Sequence, residues 1–260
     1  MEIHILHKGE DTIRFIIEGV DVAFVNALRR AFISEIPTFA IDYVIFYSNT
    51  SSLYDEIITH RLSMIPLTTE TERYVPASEC CEEGCEKCSV TLSLSKEGPC
   101  LVVSGDLISE DADVVPVHDN IPIVKLEANQ KMTLNAIARI GYAKDHAKWQ
   151  SALASYQHVP KISVNEEMCD LGGACIEECP RDVLDIMDDQ LVPKYLYSCN
   201  LCGACMDICD YDAISVEPIE DSFIFQVESF GNVSVANLIE EVVNLFTRKA
   251  DDLLENLEKL

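Results

Sequence analysis

Residues 169–186 read "CDLGGACIEECPRDVLDI" and residues 199–216 read "CNLCGACMDICDYDAISV". Each position of the first stretch pairs with one thirty residues further on, and seven of the eighteen pairs are identical. Such an internal repeat predicts two copies of one supersecondary unit packed together. The second copy holds Cys199, Cys202, Cys205 and Cys209 at the spacing Cys-x2-Cys-x2-Cys-x3-Cys. The first holds Cys169, Cys175 and Cys179, with Gly172 where the remaining cysteine would stand.

This is the spacing of two-cluster ferredoxins, in which the fourth cysteine of each motif ligates the other iron–sulfur cluster. Applied here, that exchange assigns Cys179, Cys199, Cys202 and Cys205 to one complete [4Fe–4S] set. The other set, Cys169, Cys175 and Cys209, is one thiolate short. It suits a [3Fe–4S] cluster, or a [4Fe–4S] cluster whose last iron takes Asp170 or water, or it holds no cluster. Zinc is the weaker reading, because zinc sites usually use two separated Cys-x2-Cys knuckles. "CGAC" read alone resembles a thioredoxin-type pair, but it sits inside the longer motif. Gly172, Gly173, Gly203 and Ala204 are small enough to let backbone amides approach the sulfides.

A second group, "ECCEEGCEKC" at 79–88, contains Cys80, Cys81, Cys85 and Cys88. Four thiolates this close can close a tetrahedral zinc site. Ligation by the adjacent pair Cys80 and Cys81 is awkward, and the alternative is an exposed, reduced loop. Cys100 stands alone in a strand-like run and reads as a core residue.

The chain has 260 residues, enough for about two domains. With 48% apolar residues it can bury a sizeable core, and its charged fraction of 25% suits a globular protein. The formal net charge of −26 argues against an extended phosphate-binding surface. Residues 161–213 are more acidic still, with twelve Asp and Glu against three Lys and Arg. No apolar run is long enough to span a bilayer, and "MEIHILHKGEDTIRF" lacks a signal-peptide core. A cytoplasmic location is expected, where clustered cysteines point to metal rather than to disulfides.

Periodicity predicts two strands within 2–18 around a turn at "HKGED", then a helix capped by Asp21 and ended by Pro37. "TFAIDYVIFYS" reads as β, "SLYDEIITHRLSMIPL" as a helix stopped before Pro66, and 90–127 as short strands. The end reads as a strand, "DSFIFQVESF", and a 27-residue helix from about 234. Its broad apolar stripe, from residue 235 to 257, marks a core or a partner interface.

The flanking segments "VNALRRAFISEIPTFAIDYV", "YDEIITHRLSMIPL", "IPIVKLEANQKMTLNAIARIGYAKDHAKW" and "ESFGNVSVANLIEEVVNLF" closely resemble the D-subunit family of archaeal DNA-directed RNA polymerase. That family is related to the alpha chain of the bacterial enzyme and to the third-largest chain of eukaryotic polymerase II. The likeness runs over essentially the whole chain, and a ferredoxin-like insert occurs in some lineages of the family. It implies an α+β fold with a discontinuous dimerisation domain, an inserted mostly-β domain and a ferredoxin-like α+β iron–sulfur insert. The implied boundaries are 1–45 and 222–260 for the dimerisation domain, 46–160 and 214–221 for the inserted alpha-subunit-like domain, and 161–213 for the iron–sulfur domain.

The implied function is non-catalytic: a transcription subunit that forms a heterodimer with the polymerase's L subunit. With the N and P subunits, the pair makes the platform for the large catalytic subunits. No direct nucleic-acid or membrane contact is expected. The residues agree, for there is no three-aspartate magnesium motif and no Gly-rich phosphate loop. The "DAD" at 111–113 reads as solvated surface. Arg29 and Arg30 either complement a helix C-terminus or pair with carboxylates of other subunits. His60, Arg61 and His146 match family motifs and read as packing or interface residues. The zinc-type loop of relatives begins Cys-x-Cys, whereas Glu79 and Cys80 occupy that region here, which leaves the fourth ligand open. The rival reading is a ferredoxin-type electron-transfer protein fused to a docking module.

Overall fold

The structure, a computed structural model, describes residues 1–70, 73–75, 80 and 88–259. The chain opens with an antiparallel hairpin, β1 (Glu2–Lys8) and β2 (Thr12–Glu18), closed by a hydrogen bond from the Gly9 N–H to the Thr12 carbonyl at 2.8 Å. Asp21 caps α1 (Val22–Ser34), its carboxylate accepting the Phe24 N–H at 2.7 Å. β3 (Thr38–Asn49), α2 (Asp55–Ser63), β4 (Ser89–Glu97), β5 (Cys100–Val103), β6 (Ile108–Ser109), β7 (Pro122–Leu126) and β8 (Lys131–Gly141) follow. β9 (Ala152–Val164) leads to α3 (Ala174–Glu177), the hairpin β10 (Leu184–Met187) and β11 (Gln190–Pro193), and α4 (Ala204–Asp207). β12 (Ile214–Ser229) and α5 (Val235–Glu258) end the chain. The fold is α+β, as expected from the sequence. Among the described residues no helix is long and apolar enough to cross a membrane.

The chain divides into two compact units, one of residues 1–8, 13–27 and 155–226, the other of 9–12, 28–154 and 227–260. The first unit is built on the sheet β1-β2-β12-β9. Ile16, Val159 and Ile224 pack together on it, and Phe15 stacks on Phe225 with ring centroids 5.3 Å apart. β12 is one unbroken strand of sixteen residues. The sequence pattern divides it near residue 221 because Glu217, Pro218, Glu220 and Asp221 interrupt the apolar alternation. Sheet pairing overrides that local signal.

The second unit centres on the sheet β3-β8-β4-β6. Phe39 and Ile41 of β3, Ile58 and Leu62 of α2, Leu92 of β4 and Leu134 of β8 share one buried core. The segment "GYAKDHAKW" folds back along β3: Thr38 Oγ1 donates to the Trp149 carbonyl at 2.7 Å and Lys148 Nζ meets Asp42 Oδ1 at 2.6 Å. Gly141 admits the Trp149 indole, since a Cβ there would lie 2.5 Å from a ring carbon. His146 Nδ1 accepts the Lys148 N–H at 3.0 Å, so this histidine caps a turn. Arg61 donates to the Ile123 carbonyl at 2.8 Å, while His60 and Arg30 are exposed.

One expectation needs correction. Asp111 of the "DAD" run is not simple solvated surface: it accepts a hydrogen bond from the Tyr74 hydroxyl and pairs with Arg73 at 3.2 Å. The stripe on α5 is buried at one end and exposed at the other. Val235, Leu238 and Val242 are buried in this chain, whereas Leu253, Leu254 and Leu257 are 61, 59 and 56% exposed. A helix of 24 residues, roughly 36 Å long, outruns the core beneath its first turns.

Candidate metal centre

The two halves of the repeat share one backbone path. Leu171 and Leu201 sit at φ 56° and 59°, Gly173 and Gly203 at 78° and 81°, and Asp182 and Asp212 at 49°. A positive φ is free for glycine but costs a leucine energy, so the surrounding fold must hold these loops. Each loop opens a four-residue helix, closed by hydrogen bonds of 2.9 Å to Gly173 O and 2.8 Å to Gly203 O. Backbone amides then point at sulfur: Val183 N lies 3.4 Å from Cys179 Sγ, Ala213 N 3.3 Å from Cys209 Sγ and Leu201 N 3.5 Å from Cys199 Sγ. Such N–H···S contacts favour thiolate and tune bound clusters.

The cysteines converge on two cavities. One is lined by Cys179, Cys199, Cys202 and Cys205. The other is lined by Cys169, Cys175 and Cys209, together with Asp170 and Gly172. Thus the fourth cysteine of each motif faces the other motif's cavity. Burial, with the thiols of Cys179, Cys199 and Cys202 nearby, pushes the Cys205 thiol up to about 11. Burial, then Cys169 and Cys209, raises Cys175 as well. Thiols crowded this way hold their protons until a cation displaces them.

The chemistry of the donor set fits clusters. Four cysteines line one cavity and three line the other, at the spacing by which two-cluster ferredoxins exchange their fourth thiolates. The cysteines are also part of the packing, since Cys205 is buried with Leu184, Leu191 and Ile214, and Cys169, Cys175 and Cys209 line the same small core. Of the second cysteine group, Cys88 is buried and Cys80 half-buried, while Cys81 and Cys85 lie outside the described residues. Cys100 is half-buried against the core of its own unit.

Two supporting residues carried no signal in the sequence. Gln157 Nε2 donates to the Cys199 carbonyl at 2.9 Å, and Arg14 donates to the Tyr197 carbonyl. Both tie the loop before Cys199 to the sheet. They are distant in sequence from the motif, and only strand register brings them to it.

An RNA polymerase Rpb3/RpoA insert domain matches residues 43–160, and a 4Fe-4S binding domain matches 194–215. Fold and site together therefore define an alpha-type RNA polymerase subunit that carries an iron–sulfur domain. The chain is 41% identical to the DNA-directed RNA polymerase subunit Rpo3 of Methanosarcina acetivorans, over 100% of this chain and 99% of that one. It is 42% identical to Rpo3 of Archaeoglobus fulgidus, over 100% and 98%, and 41% identical to Rpo3 of Thermococcus kodakarensis, over 100% and 99%. The chain belongs to the archaeal Rpo3 family of DNA-directed RNA polymerase subunits. It is a structural, non-catalytic subunit, and the catalytic core is made by other subunits. The full-length match sets aside the reading as an electron-transfer protein.

Proposed function

We propose that this chain pairs with the polymerase's L subunit in the cytoplasm and, with the N and P subunits, forms the platform on which the large subunits assemble. The division is the one implied by the family likeness: 1–45 with 222–260 for pairing, 46–160 with 214–221 as the inserted domain, and 161–213 for iron–sulfur binding. The observation that carries the pairing is the exposed apolar end of α5, where Leu253, Leu254 and Leu257 face solvent in a strongly acidic chain. Exposed apolar patches of this kind mark interaction surfaces. Coexpression with the L subunit tests it: a stable heterodimer is expected, and a chain that stays monomeric contradicts it.

In the same reading, Cys179, Cys199, Cys202 and Cys205 hold a [4Fe–4S] cluster, and Cys169, Cys175 and Cys209 bind a second one. The cluster's chemistry is one-electron exchange, but its proposed use here is structural, with redox sensing open to it. The insert has a small apolar core in which cysteines take part. A domain near fifty residues seldom holds together without metal, disulfides or a partner, and ligation couples folding to occupancy. Cys80, Cys81, Cys85 and Cys88 bind one structural zinc.

A further inference from the structure

The two halves of the repeat differ at two linked positions. Gly172 stands opposite Cys202, and Asp170 stands opposite Asn200. The incomplete half thus loses a thiolate and carries a carboxylate two residues earlier. The complete half has an amide there, which cannot supply an anion.

The shared backbone makes the complete half an internal control. Because φ matches on both sides of the site, at Leu171 and Leu201 and at Gly173 and Gly203, residue 172 holds the place in its loop that Cys202 holds in the other. A Cβ built at Gly172 would lie 3.1 Å from Asp170 Oδ1 and 3.3 Å from Oδ2. The carboxylate therefore fills the space where a cysteine side chain would begin. Its Oδ1 accepts the Gly172 N–H at 2.9 Å. Asp170 lines the same cavity as Cys169, Cys175 and Cys209.

We propose that Asp170 is the fourth ligand of the second cluster, giving a [4Fe–4S] cluster with three thiolates and one carboxylate. The inference rests on the reading of Cys169, Cys175 and Cys209 as a cluster site. A carboxylate keeps the ligand charge of the missing thiolate, and iron accepts oxygen donors as well as sulfur. The harder oxygen ligand makes its iron the distinct one of the four and the easiest to lose.

The test is iron content, EPR and Mössbauer spectra of the full chain, purified and reconstituted without oxygen. Wild type is expected to carry about eight irons per chain in two four-iron clusters. Asp170→Ala should lose about one iron per chain and acquire the spectrum of a three-iron cluster. Asp170→Ala with Gly172→Cys should restore the four-iron form, now with a fourth thiolate. The cluster on Cys179, Cys199, Cys202 and Cys205 serves as an internal control for folding in every variant. Cys175→Ser is run in parallel. If Cys175→Ser loses a cluster while Asp170→Ala matches wild type in iron and spectra, the Asp170 assignment is overturned and the second site stands. If Cys175→Ser also keeps the full iron content, the second site itself is overturned.

Discussion

The side-chain amide of Gln157, on β9, donates to the carbonyl of Cys199 at 2.9 Å. A sheet residue forty-two positions away thereby fixes the loop that presents the first cysteine of the complete motif. Losing one such hydrogen bond costs about 1 kcal/mol. Gln157→Leu should therefore speed iron loss from the anaerobic protein by about fivefold, with the ligand set unchanged. Chelator-driven bleaching of the cluster absorbance measures this, and a rate equal to wild type would remove Gln157 from the account.

On α5, burial separates a core-facing part from an exposed one. Leu238 is fully buried in this chain and Leu254 largely exposed. Burying a leucine contributes roughly 1.5–3 kcal/mol. Leu254→Asp should weaken pairing with the L subunit by roughly 10- to 100-fold without unfolding the chain. Leu238→Asp should unfold the chain itself. Thermal melts of each variant alone, followed by affinity measurement against the L subunit, separate the two effects. Equal affinity for Leu254→Asp and wild type would clear α5's free end of a pairing role.

How far the sequence carried this reading depended on how local each signal was. The cysteine spacing and the thirty-residue period lie within single segments, and so does the cap of α1. Ser234 Oγ accepts the Asn237 N–H at 3.2 Å, where α5 was expected to start. Tertiary relations were harder. Whether Leu238 or Leu254 faces the core is invisible in a stripe where both are leucine. The continuity of β12 through Pro218 was hidden because pairing with neighbouring strands, not propensity, keeps it extended. Asp111 looked like surface because Tyr74 and Arg73, its partners, are nearly forty residues away.

That Tyr74–Asp111 contact yields a pH dependence. Burial, then the Asp111 carboxylate, pushes the Tyr74 hydroxyl up to about 12. The Tyr74 hydrogen bond in turn holds Asp111 below its usual range. Between pH 10 and about 12 an unfolded chain would carry tyrosinate while the native one keeps its proton. The unfolded state then binds fewer protons, so stability falls as pH rises through that window. At the acid end, Asp111's contribution is present above pH 3.8 and lost as pH falls through its lowered native value. Tyr74→Phe should flatten the alkaline limb of a melting-temperature profile. An unchanged slope would show that another group governs it.

For the zinc reading, Cys85→Ser and Cys88→Ser should each lower zinc content toward zero and leave iron unchanged. Elemental analysis of the same samples gives both numbers. Zinc equal to wild type in both variants would reject the assignment.

The central claim is that the cysteine repeat is a separately stapled module on an assembly subunit. Cys202→Ser tests it most directly, because Cys202 is the cysteine the complete half has and the other lacks. The measurement is limited proteolysis across residues 161–213 together with the yield of heterodimer with the L subunit. The account predicts loss of the four-iron cluster, rapid cleavage within 161–213, and heterodimer yield near wild type. Full iron with protease resistance would contradict the ligand assignment, and loss of pairing with the L subunit would contradict the modularity.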